Sequence, residues 1–218
     1  MRLLCSFALL AALVPGSAIA QPANPNDAVA KDILKQLIEI NTTDSTGNTT
    51  TAAEAMAVRL RAAGFPAGDV QVLGPNARKG NLVARLRGRG NARPILLLAH
   101  LDVVEARKED WSPSLDPFVF TERDGYYYGR GTSDDKGAAA LTRIAASEFP
   151  IEVNDVARGY FAALAPRQSG QLAAYGVDGI CSDVDDDRSH GRDERVLVRS
   201  FFEGREFVYR LVKTIAGR

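Results

Sequence analysis

The chain has 218 residues, 45% hydrophobic and 25% charged, with 27 Lys+Arg balanced by 27 Asp+Glu. This is the makeup of a globular protein of one or two domains. With no net charge, nothing in the balance favours nucleic acid or an anionic membrane, so the expected partner is a small molecule or short peptide.

The first twenty residues read as an export signal. Arg2 precedes an apolar run over residues 3–14, and Ala18-Ile19-Ala20 is a small-x-small cleavage sequence before Gln21. The run is too short for a membrane anchor. Cleavage after Ala20 would leave a periplasmic or secreted protein with no membrane contact. Cys5 would leave with the signal, so Cys181 would stand alone and no intrachain disulfide is expected.

Residues 28–40 carry Val29, Ile33, Leu34, Leu37 and Ile38 on one face, which predicts an amphipathic helix. A Thr/Asn/Gly/Ser loop follows. A second helix is expected over 52–63, capped by Thr51 and stopped by Gly64. Residues 70–73 and 80–86 predict strands. Residues 94–99 form a continuous apolar run ending at His100, as in a sheet strand covered on both faces. Residues 116–128 predict a hairpin turning at Asp124-Gly125. A small Ala-rich helix is expected over 137–146, helical composition over 150–175, a strand candidate at 179–184 and a closing amphipathic helix over 200–215. The second half supplies few strands for a doubly wound domain.

Three stretches carry groups able to do chemistry, and the chain has only two histidines. His100 ends the apolar strand, where α/β sheets bind ligands. Asp102, two residues on, would share its face and could orient the imidazole while the other ring nitrogen binds a metal. The tripeptide alone fits a buried, hydrogen-bonded His better than a metal ligand. Gly129-Arg130-Gly131 leads to Asp134-Asp135 at a helix start. The paired carboxylates either complement the helix dipole or hold a cation, whereas they would repel a phosphate. Residues 183–195 hold His190 among alternating charges and read, alone, as a solvated loop. They lack the spacing of a calcium-binding loop.

Taken together, the run Leu96 through Val104, then Trp111, Asp116-Pro117-Phe118, Asp124-Gly125-Tyr126, and Gly129-Arg130-Gly131 through Asp134-Asp135-Lys136-Gly137 resembles the two-zinc metallopeptidase family of acetylornithine deacetylase, succinyl-diaminopimelate desuccinylase, aminoacylase and glutamate carboxypeptidase. The resemblance is dense over residues ~30 to 145. His190 through Arg195, Phe202-Glu203-Gly204 and Phe207 through Arg210 resemble that family's C-terminal end.

The resemblance implies an α/β fold: a zinc-peptidase-like doubly wound mixed sheet flanked by helices, incomplete, with only a remnant of the lid domain. Residues 1–20 would be the signal, 21–145 and 175–218 the two parts of the catalytic domain, and 146–174 a helical lid remnant. It further implies that His100 binds one zinc, Asp134 bridges two, His190 binds the second, and Asp102 orients His100. The Asp134-Asp135 peptide bond would be cis. Two zincs in the family become one or none here.

The sequence departs from the family in having no Glu-Glu pair anywhere, the pair that supplies a general base and a ligand. Two internal deletions, after residues ~142 and ~174, account for that loss and for the missing core strands and lid. The implied function is a zinc-dependent amidohydrolase for N-acyl amino acids or short peptides, impaired by this loss. The alternative is an inactive metal-binding relative or a non-functional deletion product. Because the family pairs through its lid, a monomer is expected.

Overall fold

The computed structural model describes residues 24, 26–88, 95–141, 159–162 and 186–216, with residues 159–162 described as backbone only. The export signal at 1–20, Cys181, the strand candidate at 179–184 and most of the 146–174 stretch lie outside the described residues. Among the described residues no helix is long and apolar enough to cross a membrane.

The first helix, α1 (Asn26–Ile38), buries Ala30, Ile33, Leu34, Leu37 and Ile38 completely. Their spacing puts them on one stripe of a 3.6-residue helix, so a single face enters the core. The second, α2 (Thr49–Ala62), buries Ala52, Ala53, Met56, Ala57 and Leu60 in the same way. Its cap is Asn48 rather than the expected Thr51. Asn48 is extended, and its side chain accepts from the Thr51 amide at 3.2 Å. Thr51 therefore sits inside the first turn as the donor. Gly64, with φ 92°, ends the helix, and the Phe65 amide reaches back to the Leu60 carbonyl at 3.1 Å. That is the six-to-one bond of a glycine-terminated helix.

A four-stranded sheet runs in the order β1 (Val70–Leu73), β2 (Asn81–Leu86), β6 (Gly159–Ala162), β3 (Leu96–Leu98). The β3–β6 pair is parallel and the other pairs are antiparallel, so the sheet is mixed as expected. Strand β6 corrects the helical reading of 150–175 at four residues. The sequence there is Gly-Tyr-Phe-Ala, with two residues that favour strands. An unpaired β2–β3 gap would also leave ladder groups without partners.

Strand β3 departs from its expected burial on both faces. Leu96 and Leu98 are 42% and 48% exposed. Only the opposite face is covered, where Ile95 and Leu97 pack on Val208 and Val212 of α4 (Val198–Ala216).

A second sheet is antiparallel, in the order β4 (Thr121–Arg123), β5 (Tyr126–Tyr128), β7 (Arg195–Leu197). The β4–β5 turn is Asp124-Gly125, both with positive φ, as a two-residue type I′ hairpin requires. The hairpin's third strand, β7, was not visible in the sequence pattern. Helical residues 136–141 form α3, which begins directly after Asp134-Asp135.

One hydrophobic cluster joins the first part of the chain to the last. Leu34, Leu60, Ala84 and Leu141 share it with Tyr127, Val196 and Phe201. The segments before and after the central stretch are thus packed as one body.

Candidate metal centre

Topology brings the site together. Strands β5 and β7 pair antiparallel with Tyr128 opposite Arg195. The loop leaving β5 at Gly129 and the turn entering β7 at Glu194 therefore lie at the same end of the pair. The Gly129 amide donates to the Glu194 carbonyl at 3.1 Å. Asp134 lies in the first segment and His190 in the second, and the strand pairing makes them neighbours. His100 comes from the end of β3, and its amide is tied to this segment by Asp135 Oδ2 at 2.9 Å.

Asp134 stands between the two histidines. His100 Nε2 lies 2.9 Å from Asp134 Oδ1, and His190 Nε2 lies 2.5 Å from Asp134 Oδ2. The three residues implied by the family resemblance are thus convergent, one imidazole on each carboxylate oxygen. His190 adopts φ 65° at the tip of its turn and is exposed. The Asp134-Asp135 peptide bond is cis.

Asp102 holds His100 differently from the expectation. The ring Nδ1 lies 2.9 Å from the Asp102 carbonyl oxygen, while the Asp102 carboxylate is 3.6 Å away. The backbone, not the side chain, orients the ring, because the chain folds back within two residues. A carbonyl facing Nδ1 favours a proton there and turns Nε2 to Asp134, whose carboxylate accepts from it; Nε2 is the nitrogen that would be left to ligate a metal in place of that proton. Burial pulls the His100 pKa down. The Asp135 charge, the Asp102 carbonyl and Asp134 outweigh it and hold the imidazole above its usual value.

Imidazole nitrogens and a bridging carboxylate are the donor types zinc takes. In kind they fit two cations on either side of Asp134. In number they give each cation one nitrogen and one oxygen, short of the three protein ligands of a catalytic zinc. Among the described residues no group of three or more His, Cys, Asp or Glu side chains could hold a metal ion.

Sequence reasoning missed the support beneath the site. Glu194, read as part of a solvated loop, is fully buried, and Asp193 nearly so. Asp193 takes the Ser112 amide at 2.8 Å and hydroxyl at 2.6 Å, pinning the turn to the loop before the hairpin. The Ser112 contacts, with the neighbouring Arg192, hold Asp193 below the usual carboxylate range although burial alone would raise it. Lys136 is also completely buried, its Nζ donating to the Ile40 carbonyl at 2.8 Å. Burial brings its pKa down to about 7. The signal for burial was the density of charges of both signs in residues 183–195, which fits paired charges as well as solvated ones.

Part of the chain is similar to known proteins. Residues 96–158 match the model of Peptidase family M20/M25/M40. The chain is 37% identical over 130 residues to a succinyl-diaminopimelate desuccinylase of Leptothrix cholodnii, covering 58% of this chain and 32% of that protein. It is 53% identical over 70 residues to the protein of that name from Bordetella petrii, covering 32% of this chain and 17% of that one. The chain therefore spans about a third or less of the length of these curated relatives. Its fold is similar to that of human carnosine dipeptidase 1, with a TM-score of 0.52 at 24% identity, covering 63% of this chain and 32% of that one. It is also similar to an M20 family metallo-carboxypeptidase from Sulfolobus solfataricus, with a TM-score of 0.50 at 17% identity, covering 61% and 29%. Over the segment that carries His100, Asp102, Asp134 and Asp135, this chain is thus similar in sequence to peptidase family M20/M25/M40, and its fold is similar to that of solved peptidases.

Proposed function

We propose that this chain is a zinc-binding relative of amide-bond hydrolases, derived from an enzyme for N-acyl amino acids or short peptides and strongly impaired in catalysis. The observation that carries the reading is the Asp134 carboxylate with an imidazole Nε2 at each oxygen. The protein donors to a metal would be His100 with Asp134 on one side and His190 with Asp134 on the other, two to a side. When bound, zinc lowers the pKa of a water and polarises an amide carbonyl. His100 is oriented by the Asp102 carbonyl, and Asp135 fixes its backbone.

The impairment follows from the general base. The sequence has no Glu-Glu pair, and loss of a positioned base costs about 10²–10⁴-fold in rate. The names of the relatives, succinyl-diaminopimelate desuccinylase and carnosine dipeptidase, support a substrate that is a small acylated amino acid or dipeptide. Export, with cleavage after Ala20, and a monomeric state belong to the same proposal. A second reading, metal binding without turnover, is favoured by the two-donor count on each side of Asp134.

Elemental analysis of the purified, dialysed chain tests the first step. Zinc near one equivalent, lost in His100→Ala, is the expected result, and slow hydrolysis of N-acyl amino acids separates the two readings. Zinc no higher than in the His100→Ala control would overturn both.

A further inference from the structure

Arg130 and Glu194 form an ion pair with side chains only 4% and 0% exposed, Nη1 to Oε2 at 2.8 Å. Neither group is one of the candidate metal donors, and an ion pair alone would not require so many further bonds. Those bonds run crosswise. Glu194, from the turn that carries His190, accepts at Oε1 from the amides of Gly131 and Ser133 at 3.0 Å each. The same oxygen takes the Ser133 hydroxyl at 2.9 Å and the Asp134 amide at 3.3 Å. Arg130, from the loop that carries Asp134, donates through Nη2 to the Gly191 carbonyl at 3.0 Å, next to His190. The Arg130 guanidinium also lies over the Trp111 ring at 5.5 Å.

Each segment therefore grips the residue beside the other's functional side chain. Four donors on one carboxylate oxygen fix the path of residues 131–134. A planar, two-armed guanidinium fixes residues 191 and 194 relative to each other. Gly131, with φ 95°, lets the loop pass, since a Cβ there would meet the Lys136 side chain at 2.8 Å.

We propose that Arg130 and Glu194 are positioning residues that set the reach from Asp134 to His190, so that the two halves of the site stay in register. The proposal deepens the zinc-site reading and rests on it for its purpose, but the contact it sets exists without metal. His100 depends on it less, because its ring is also held at Nδ1 by Asp102 and its amide by Asp135.

The test uses the metal-free full chain at fixed pH. Nitrogen-15 spectra of the two imidazoles are assigned with His100→Ala and His190→Ala. Glu194→Gln removes the charge that faces Arg130, and Ser133→Ala, the milder change, removes one donor to Glu194 together with the 3.3 Å contact of that hydroxyl with Ser189, with Ser189→Ala as the control for the second loss. Leu60→Ala in α2 is the control for lost stability without contact to the turn. In Glu194→Gln the His190 Nε2 resonance is expected to move to the position of a free imidazole. In Ser133→Ala it moves the same way by less. The His100 resonance moves little in either, and Leu60→Ala leaves both in place. An unmoved His190 resonance in Ser133→Ala, with Glu194→Gln either leaving both histidines unmoved or disturbing both alike, overturns the proposal. If the wild-type chain takes up no zinc, the functional reading fails while these spectra still decide the positioning role.

Discussion

Tyr127 shows how one residue ties the hairpin to the closing helix and gives the fold a pH limit. Its ring lies 5.0 Å from Phe120, 5.8 Å from Phe201 and 6.4 Å from Phe202, with only 1% of the residue exposed. Burial, helped by the charges of Glu122 and Asp27, pushes the phenol up to about 12. Below pH 10 the phenol is neutral in both folded and unfolded chains, so its ionisation does not affect stability. Between about 10 and 12 the unfolded chain loses the proton and the folded chain keeps it, so stability falls as pH rises through this window. Tyr127→Phe keeps the ring contacts and removes the titration. Its urea midpoint should fall less than that of the wild type between these two pH values. Parallel loss in both proteins would mean that other groups set the alkaline limit. The same site chemistry was unequally legible at this scale. His100, Asp134 and His190 stood out because histidine is rare in the chain and the aspartate pair follows glycines. Glu194 and Arg130 did not, because a buried ion pair and a solvated one have the same composition.

At the scale of elements, the helices were the most legible part because their buried stripes repeat at the helical period. Their ends were less so. Asn48 and Thr51 are both good caps by type, and only the backbone decides between them. Asn48 accepts one of the first-turn amides and is itself extended, so Asn48→Ala should lower stability by about 1 kcal/mol, whereas Thr51→Ala should change it by a few tenths. Urea denaturation of both variants separates the assignments, and a larger loss in Thr51→Ala would return the cap to that residue. The strands were legible where a turn residue or alternation marks them. The Asp124-Gly125 hairpin and the 70–73 and 80–86 strands are of this kind. Strand β7 is only three residues long, too short for a period to register. Strand β3 was legible as a strand and misread in burial, because an apolar run records what a residue prefers and not which neighbours arrive to cover it.

For the whole molecule the decisive fact is that the site is assembled from three distant segments, delivered by two sheets. Residues 134 and 190 are delivered by the β4–β5–β7 sheet, whose own pairing and the Arg130–Glu194 contacts hold them together. His100 is delivered by β3. In the four-stranded sheet β3 has one neighbour, β6, and β6 in turn pairs with β2. Among the described residues the strand that carries His100 is therefore joined to the sheet through one strand, with α4 packing on one face of β3 and the Asp135 bond to the His100 amide as further supports. Phe161 sits at the middle of that strand, opposite Ala84 on one side and Leu97 on the other. Proline at a doubly paired position removes an amide donor and its ring intrudes on the ladder. Phe161→Pro should therefore raise amide exchange at Leu97 and Leu98 while leaving β4, β5 and β7 protected. It should also lower zinc retention to the level of His100→Ala, because His100 then leaves Asp134 while His190 stays. If β3 keeps its protection, α4 alone holds that strand in place, and the central strand is not what completes the site. If all strands lose protection together, the two sheets unfold as one unit and the joined core of Leu34, Tyr127 and Phe201, rather than strand pairing, governs the assembly.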